Sequence, residues 1–173
     1  LVGMVVMLVI PKREETTHKV LALLVSLANF VIGIAVLANF DYDRSGTLQF
    51  VQDKQWIPMI NSRYIVGVDG ISLPLLMLTL FIVPLVVVYS WDHFPEPHNP
   101  KAFLILTLIL ETGMVGTFVA QDLILFFVFF EVVLLPMYFM IGVWGGEQRL
   151  YAAIKFFLFT LFGSALMIVS FLA

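Results

Sequence analysis

Two glutamates stand inside long apolar stretches of this chain, where no water is expected to solvate a charge. Glu131 lies in the middle of FFVFFEVVLLPMYF, residues 126–139, and Glu111 lies in the apolar stretch before it. Both are ten residues from Gln121, which lies in the short turn between the two stretches. At about 1.5 Å of helical rise per residue, both lie roughly 15 Å deep, near the middle of a hydrocarbon layer about 30 Å thick. An acid there costs about 2.5–3.5 kcal/mol and usually marks an ion or proton path.

Glu131 is the first candidate for proton transfer, and Glu111 is the second. Pro136 follows Glu131 by five residues and leaves backbone carbonyls unpaired, which is typical of a helix that lines a cavity. A carboxyl group beside loosened backbone and water can exchange protons. The alternative for either glutamate is a protonated, hydrogen-bonded side chain that only holds two helices together. Sequence spacing leaves open whether the two carboxyl groups face each other.

Lys155 is a third candidate, as a relay. It lies about five residues inside the last apolar segment, roughly 7 Å from one membrane surface, whereas Glu131 lies about 18 Å from that surface. The axial gap near 10 Å is too long for a salt bridge and suits a water-linked relay. The alternative is a lysine that snorkels to the interface. Asp122 stands where the segment of Glu131 begins, and a carboxylate at a helix start is normally structural.

The sequence offers no site for a cofactor, a metal or nucleic acid. It has no cysteine, which excludes disulfides and iron–sulfur ligation. We place His18, His93 and His98 in loops or at their edges, so no histidine is expected in a span to ligate haem. The spacing of these histidines matches no metal motif, and no glycine-rich nucleotide loop occurs. The net charge of −3 is spread over loops, which does not indicate a nucleic-acid partner.

The composition is that of an integral membrane protein. Of 173 residues, 61% are hydrophobic and only 12% are charged, and mean hydropathy is +1.04. We predict an all-α polytopic membrane helix bundle that forms one membrane domain over residues 1–173. Its first helix ends near residue 10, and both ends of the chain look like cuts within a longer protein. The six predicted helices cover residues 1–10, 19–39, 71–91, 101–120, 122–143 and 150–173.

The distribution of lysine and arginine predicts the orientation. Basic residues cluster in the short loops after the first, third and fifth helices and mark the cytoplasmic side. They are Lys12, Arg13, Lys19, Lys101 and Arg149. The first helix then starts outside, and the long segment 40–70 forms an outer-face loop, which we interpret as a cap on the membrane surface.

Three stretches together resemble a known family. WIPMINSRYIVGVDGISLPLLMLTL, AQDLILFFVFFEVVLLPMYFMIGVWGG and YAAIKFFLFTLFGSALM occur here in that order. They resemble the antiporter-like subunits of proton-pumping NADH:quinone oxidoreductase (complex I), of the chain M or mitochondrial subunit 4 type. The piece GVDGISL after WIP favours the chain M type over its L and N relatives. The second and third stretches also resemble subunits of multisubunit sodium/proton antiporters and membrane-bound hydrogenases.

The resemblance implies a longer chain of about fourteen helices with two inverted five-helix repeats, of which this fragment covers helices one to six. It places the family's fifth-helix glutamate at Glu131, paired with a lysine on a broken seventh helix beyond Ala173. Phe130 stands where the family often has tryptophan. The resemblance also implies NADH, FMN, iron–sulfur clusters and quinone in partner subunits, chains L and N as membrane-arm neighbours, and a multi-pass location in the bacterial cytoplasmic membrane.

We therefore expect a proton-translocating membrane-arm subunit of an oxidoreductase complex, with no redox centre of its own. Coupling would run through intramembrane charges, with Glu131 as the group that holds the proton. One alternative is a subunit of a sodium/proton antiporter or a membrane-bound hydrogenase. An alternative of another class is a passive scaffold that only packs the membrane arm.

Overall fold

The computed structural model describes residues 1–60, 62–92, 94 and 96–172, and helices dominate them. Apolar runs of this length become helices because lipid offers no partner to the backbone N–H and C=O groups. The six helices are α1 (Val2–Val9), α2 (Glu15–Ala38), α3 (Ser72–Tyr89), α4 (Pro100–Val119), α5 (Leu123–Trp144) and α6 (Arg149–Leu172). Helices α2 to α6 are each long and apolar enough to cross a membrane. The predicted all-α membrane bundle is confirmed.

The start of α2 lies earlier than predicted, and this places His18 inside a helix rather than in a loop. Helix α2 begins at Glu15, four residues earlier than predicted, so His18 lies within its first turns and is buried. The charged residues of the first turn hid this start in the hydropathy pattern. The imidazole is held by a hydrogen bond of 3.1 Å between its Nε2 and the carbonyl oxygen of Pro11. His93 lies outside the described residues.

The long segment between α2 and α3 contains a β-hairpin that the sequence did not predict. Strands β1 (Gln49–Ile57) and β2 (Ser62–Val68) pair antiparallel, and Arg63 bridges to Asp53 at 2.8 Å. The hairpin closes over the turn between α4 and α5, where the N–H of Gln121 donates to the carbonyl of Ile65 at 2.9 Å. The segment is thus a cap on the ends of the helices. Its strands form because β1 and β2 pair with each other, and this pairing leaves no signal in the local hydropathy.

The three basic loops meet at the opposite end of the bundle, as the alternating spans require. Lys101 donates to the carbonyls of Leu8 and Ile10 at 3.0 and 2.6 Å, and Lys19 donates to the carbonyl of Trp91 at 2.9 Å. The indole N–H of Trp144 donates to Pro97 at 2.9 Å. These bonds tie together the loops after α1, α3 and α5.

Helices α2, α3 and α4 enclose the core, and α5 and α6 form its flank. One buried cluster lies toward the basic loops and includes Met7, Ala22 and Leu104. A second lies toward the hairpin and includes Phe40 and Val68. Helix α5 packs on α4, and α6 packs on α5, so the outer face of α6 is exposed in this part of the chain.

Candidate functional site

The start of α5 is fixed by Asp122. Its Oδ1 accepts the N–H groups of Ile124 and Leu125 at 3.0 Å each, as expected of a helix cap. From β2, the Ser62 hydroxyl donates to Oδ1 at 2.9 Å, and the N–H of Arg63 donates to Oδ2 at 3.2 Å. Burial raises the pKa of the Asp122 carboxyl, but these hydrogen bonds outweigh burial and hold the pKa below its ordinary value. Asp122 is structural, as predicted: it joins the hairpin to the helix that carries Glu131.

Close contact between α4 and α5 sets how both helices are rotated. A Cβ on Gly113 would lie 2.7 Å from Cγ2 and 3.1 Å from the backbone nitrogen of Val133, and 3.3 Å from the backbone oxygen of Phe129. A Cβ on Gly116 would clash with the ring of Phe129. The two glycines therefore let the backbones approach closely, as small residues do between membrane helices. This face of α4 and the Phe129–Val133 face of α5 form the contact.

The rotation turns the two glutamates away from each other. At about 100° per residue, Glu111 lies roughly 160° around α4 from Gly113. Glu131 is two residues from both Phe129 and Val133, and so lies roughly 160° around α5 from each. The glycine contacts place the two glutamates at nearly the same level of the α4–α5 pair, but they point from its opposite sides.

Glu111 faces α2. It is buried, with 2% of its surface exposed, and its Oε1 accepts a hydrogen bond of 3.1 Å from Nδ2 of Asn29. Both side chains line a mostly apolar cavity of about 350 Å³ between α2, α3 and α4. Our reading of the sequence missed Asn29, although an amide in the middle of an apolar helix is a signal of a polar partner at that depth. This hydrogen bond fits the interpretation of Glu111 as an inter-helix tie.

Glu131 faces α6. Its Oε1 is buried and has no hydrogen-bond partner among the residues that the structure describes. One step along the helix, the carbonyl of Val132 receives no helical hydrogen bond, since residue 136 is a proline. A buried acceptor without a donor is costly, and such groups are uncommon unless water, an ion or a function accounts for them.

Lys155 is not brought to Glu131. On α6, Ala153 faces Gly142 of α5, and the rings of Phe157 and Tyr138 are tilted by 60° with their centroids 5.3 Å apart. Lys155 is two residues from both Ala153 and Phe157, so it points away from α5. It is exposed, and its ammonium lies 5.6 Å from the ring centroid of Tyr151. A relay from Lys155 to Glu131 would have to run around α6 through groups outside the described residues.

No group of three or more acidic, histidine or cysteine side chains that could hold a metal occurs among the described residues. The candidate site is the carboxyl group of Glu131 at the seam between α5 and α6. A carboxyl group can bind and release a proton when water or a neighbouring helix supplies the other partner.

The fold and the site define a multi-pass helical membrane protein with acidic side chains in its interior, a class in which such residues mark ion and proton paths. Two family models match this chain. The model described as NADH-ubiquinone oxidoreductase chain 4, amino terminus, matches residues 1–117, and the model described as NADH:quinone oxidoreductase/Mrp antiporter, TM, matches residues 120–173. The chain belongs to the NADH-ubiquinone oxidoreductase chain 4 family, as its sequence indicated.

Curated relatives agree. NADH-quinone oxidoreductase subunit M of Rhodobacter capsulatus is 45% identical over 92% of this chain and 30% of its own length. NADH-ubiquinone oxidoreductase chain 4 of Mycosarcoma maydis is 42% identical over 93% of this chain and 32% of its own length. The chain thus spans about a third of the length of these relatives.

Solved structures share the fold. A chain of respiratory complex I from Thermus thermophilus with bound NADH superposes with a TM-score of 0.81 at 26% identity, over 99% of this chain and 33% of that one. A chain of the Mrp complex from Dietzia sp. gives 0.77 at 16% identity, over 96% of this chain and 18% of that one, which is a likeness of fold alone.

Proposed function

We propose that the full-length protein is a proton-translocating membrane subunit of a respiratory NADH:quinone oxidoreductase. The observation that carries this proposal is Glu131, a carboxyl group at mid-span with a buried oxygen that has no partner among the described residues. Family membership supports the choice of complex. A passive scaffold gains nothing from such a group, because an apolar residue would pack there at lower cost.

In this proposal Glu131 takes a proton from water on one side of the membrane and later releases it toward the other side. The charge that sets its affinity for the proton lies outside the described residues, on the helix that covers the exposed face of α6. Lys155 and Glu111 are secondary candidates, because Lys155 lies on the exposed face of α6 and Glu111 is hydrogen-bonded to Asn29 of α2. Redox cofactors (NADH, FMN, iron–sulfur clusters and quinone) would be held by partner subunits, and their chemistry would reach Glu131 through changes in charge and conformation.

We propose membrane-arm subunits of the L and N types as neighbours and the bacterial cytoplasmic membrane as the location. The competing proposal is a subunit of a multisubunit sodium/proton antiporter or a membrane-bound hydrogenase; the family model that matches residues 120–173 is described as covering both the oxidoreductase and the Mrp antiporter.

Co-purification separates these proposals. Mild detergent extraction of the tagged full-length protein is expected to bring down subunits that carry flavin and iron–sulfur clusters, together with NADH oxidation that reduces quinone. Mass spectrometry identifies the subunits, and the absorption spectrum identifies the cofactors. Purification with antiporter subunits alone, and no flavin, would reject the oxidoreductase.

The orientation has its own test, since this chain contains no cysteine to interfere. Asp43 at the hairpin end and Glu147 in the loop between α5 and α6 are both exposed. We expect a membrane-impermeant thiol reagent to label Asp43→Cys in right-side-out vesicles and Glu147→Cys only in inside-out vesicles. The reverse pattern would overturn the positive-inside assignment.

A further inference from the structure

The seam between α5 and α6 has a regular register that extends to Glu131. A Cβ on Gly142 would lie 3.5 Å from the Cβ of Ala153, and these two positions face each other. The helices are antiparallel, so moving eleven residues back along α5 to Glu131 corresponds to moving eleven residues forward along α6 to Ser164. Eleven residues are about three full turns, so both positions stay on the facing sides.

The burial of Ser164 agrees with this register. Only 3% of its surface is exposed, whereas the adjacent Gly163 is exposed and Phe162 is 68% exposed. In the described residues α6 packs on α5, and the opposite face of α6 is uncovered. A buried residue of α6 whose neighbours along the helix are exposed must therefore lie against α5. Ser164 is therefore at the level of Glu131, on the side of α6 that faces α5.

The hydroxyl of Ser164 can change partners. In the structure it donates to the carbonyl of Leu161, one turn earlier in its own helix, at 3.1 Å. That carbonyl also accepts helical hydrogen bonds, so the hydroxyl can rotate about χ1 at small cost. A serine hydroxyl can donate to an ionised carboxylate or accept from a protonated one.

We propose that Ser164 is the positioning residue of Glu131: its hydroxyl turns from the carbonyl of Leu161 to the carboxyl group and donates to it when the proton has left. The proposal rests on the proposed function of Glu131. It gives the unpartnered Oε1 a donor within the fold, and it makes ionisation at this depth less unfavourable, because charge-assisted hydrogen bonds are the strong ones.

Other titratable groups are poorly placed to donate a hydrogen bond to the carboxylate of Glu131. On the helices and strand packed against α5, and on α5 itself, they are Lys101, Glu111, Arg149, Tyr151, Lys155, Arg63, Tyr64, Asp122 and Tyr138. Tyr138 shares the stripe of Glu131 but lies seven residues away, roughly 10 Å along the helix. The rest lie at helix ends, on the hairpin, or on faces turned away from the seam.

Cross-linking tests the juxtaposition without relying on function. In the full-length protein, with every cysteine outside residues 1–173 replaced by serine, Glu131→Cys with Ser164→Cys is expected to form a disulfide on mild oxidation. Gly142→Cys with Ala153→Cys is the positive control. Glu131→Cys with Phe162→Cys, at nearly the same depth on the opposite face of α6, is expected to stay reduced. A positive control that links while the 131–164 pair does not would overturn the proposal.

The pH profile of proton pumping tests the role. Ser164→Ala is expected to move the profile to higher pH by roughly one unit, because the ionised carboxylate loses a donor. Ser164→Thr keeps the hydroxyl and should restore the profile, and Ser170→Ala, on the exposed face of α6, should leave it unchanged. A cross-link together with an unmoved profile in Ser164→Ala would overturn the role of Ser164 alone. Normal pumping in Glu131→Gln would instead overturn the proposed function.

Discussion

Replacing Glu131 by glutamine is expected to leave the protein assembled and to stop proton pumping. Glutamine keeps the size and hydrogen-bonding groups of glutamate but cannot ionise, so burial at mid-membrane becomes less costly and assembly should not suffer. A group that transfers a proton in the limiting step contributes about 10²–10⁴-fold. We therefore expect pumping, and the electron transfer coupled to it, to fall by about a hundredfold or more.

The measurement is proton translocation in reconstituted vesicles, with assembly followed on native gels. Glu131→Asp should retain part of the activity, because it keeps the ionisable proton and shortens the reach. Glu147→Gln is the matched control, since it removes a glutamate that is exposed in the loop after α5. Wild-type pumping by an assembled Glu131→Gln protein would mean that the carboxyl group is structural.

Replacing Gly113 by valine is expected to disrupt the α4–α5 pair. A Cβ at this position already approaches the backbone nitrogen of Val133 at 3.1 Å, so a larger side chain must push the helices apart rather than displace a flexible side chain. Overpacking of this kind costs about 1–3 kcal/mol. We expect a lower thermal unfolding temperature of the purified protein and less assembled complex on native gels.

Gly163→Val is the control for this substitution. It makes the same change inside a helix, so it has the same effect on helix propensity, but a Cβ on Gly163 would meet nothing within 4 Å. The comparison is made on the thermal stability of the isolated subunit, so that contacts with partner subunits do not contribute. Equal loss of stability in both variants would show that helix propensity, and not the close approach at Gly113, governs the effect.

These variants separate a charge effect from a packing effect. Glu131→Gln should reduce pumping without loss of assembly, whereas Gly113→Val should lose assembly first. Gly113 sets the rotation of α4, and this rotation directs Glu111 to Asn29. A loss of pumping in Gly113→Val at normal assembly would mean that this rotation bears on the proton path.

The sequence by itself determined the membrane segments, their order and the end of the bundle to which each loop belongs, and it predicted one depth for Glu111 and Glu131. These features are local: a hydropathy run sets a helix, and the rise per residue sets a depth. The cap at Asp122 was also local, because a carboxylate at a helix start accepts the free N–H groups of the next turn. The resemblance of its motifs to a known family predicted Glu131 as the proton-transfer glutamate, and that role stays a prediction.

Only the tertiary structure decided which way the side chains point and what they meet. The rotation of α4 and α5 depends on close contact of Gly113 and Gly116 with Phe129 and Val133, and those pairs form across two helices. The same contact turned Glu111 to Asn29 and left Glu131 facing the α6 seam. The β-hairpin was missed for a related reason, since its strands are defined by pairing with each other and with the α4–α5 turn, and no run of residues 40–70 encodes a distant backbone partner.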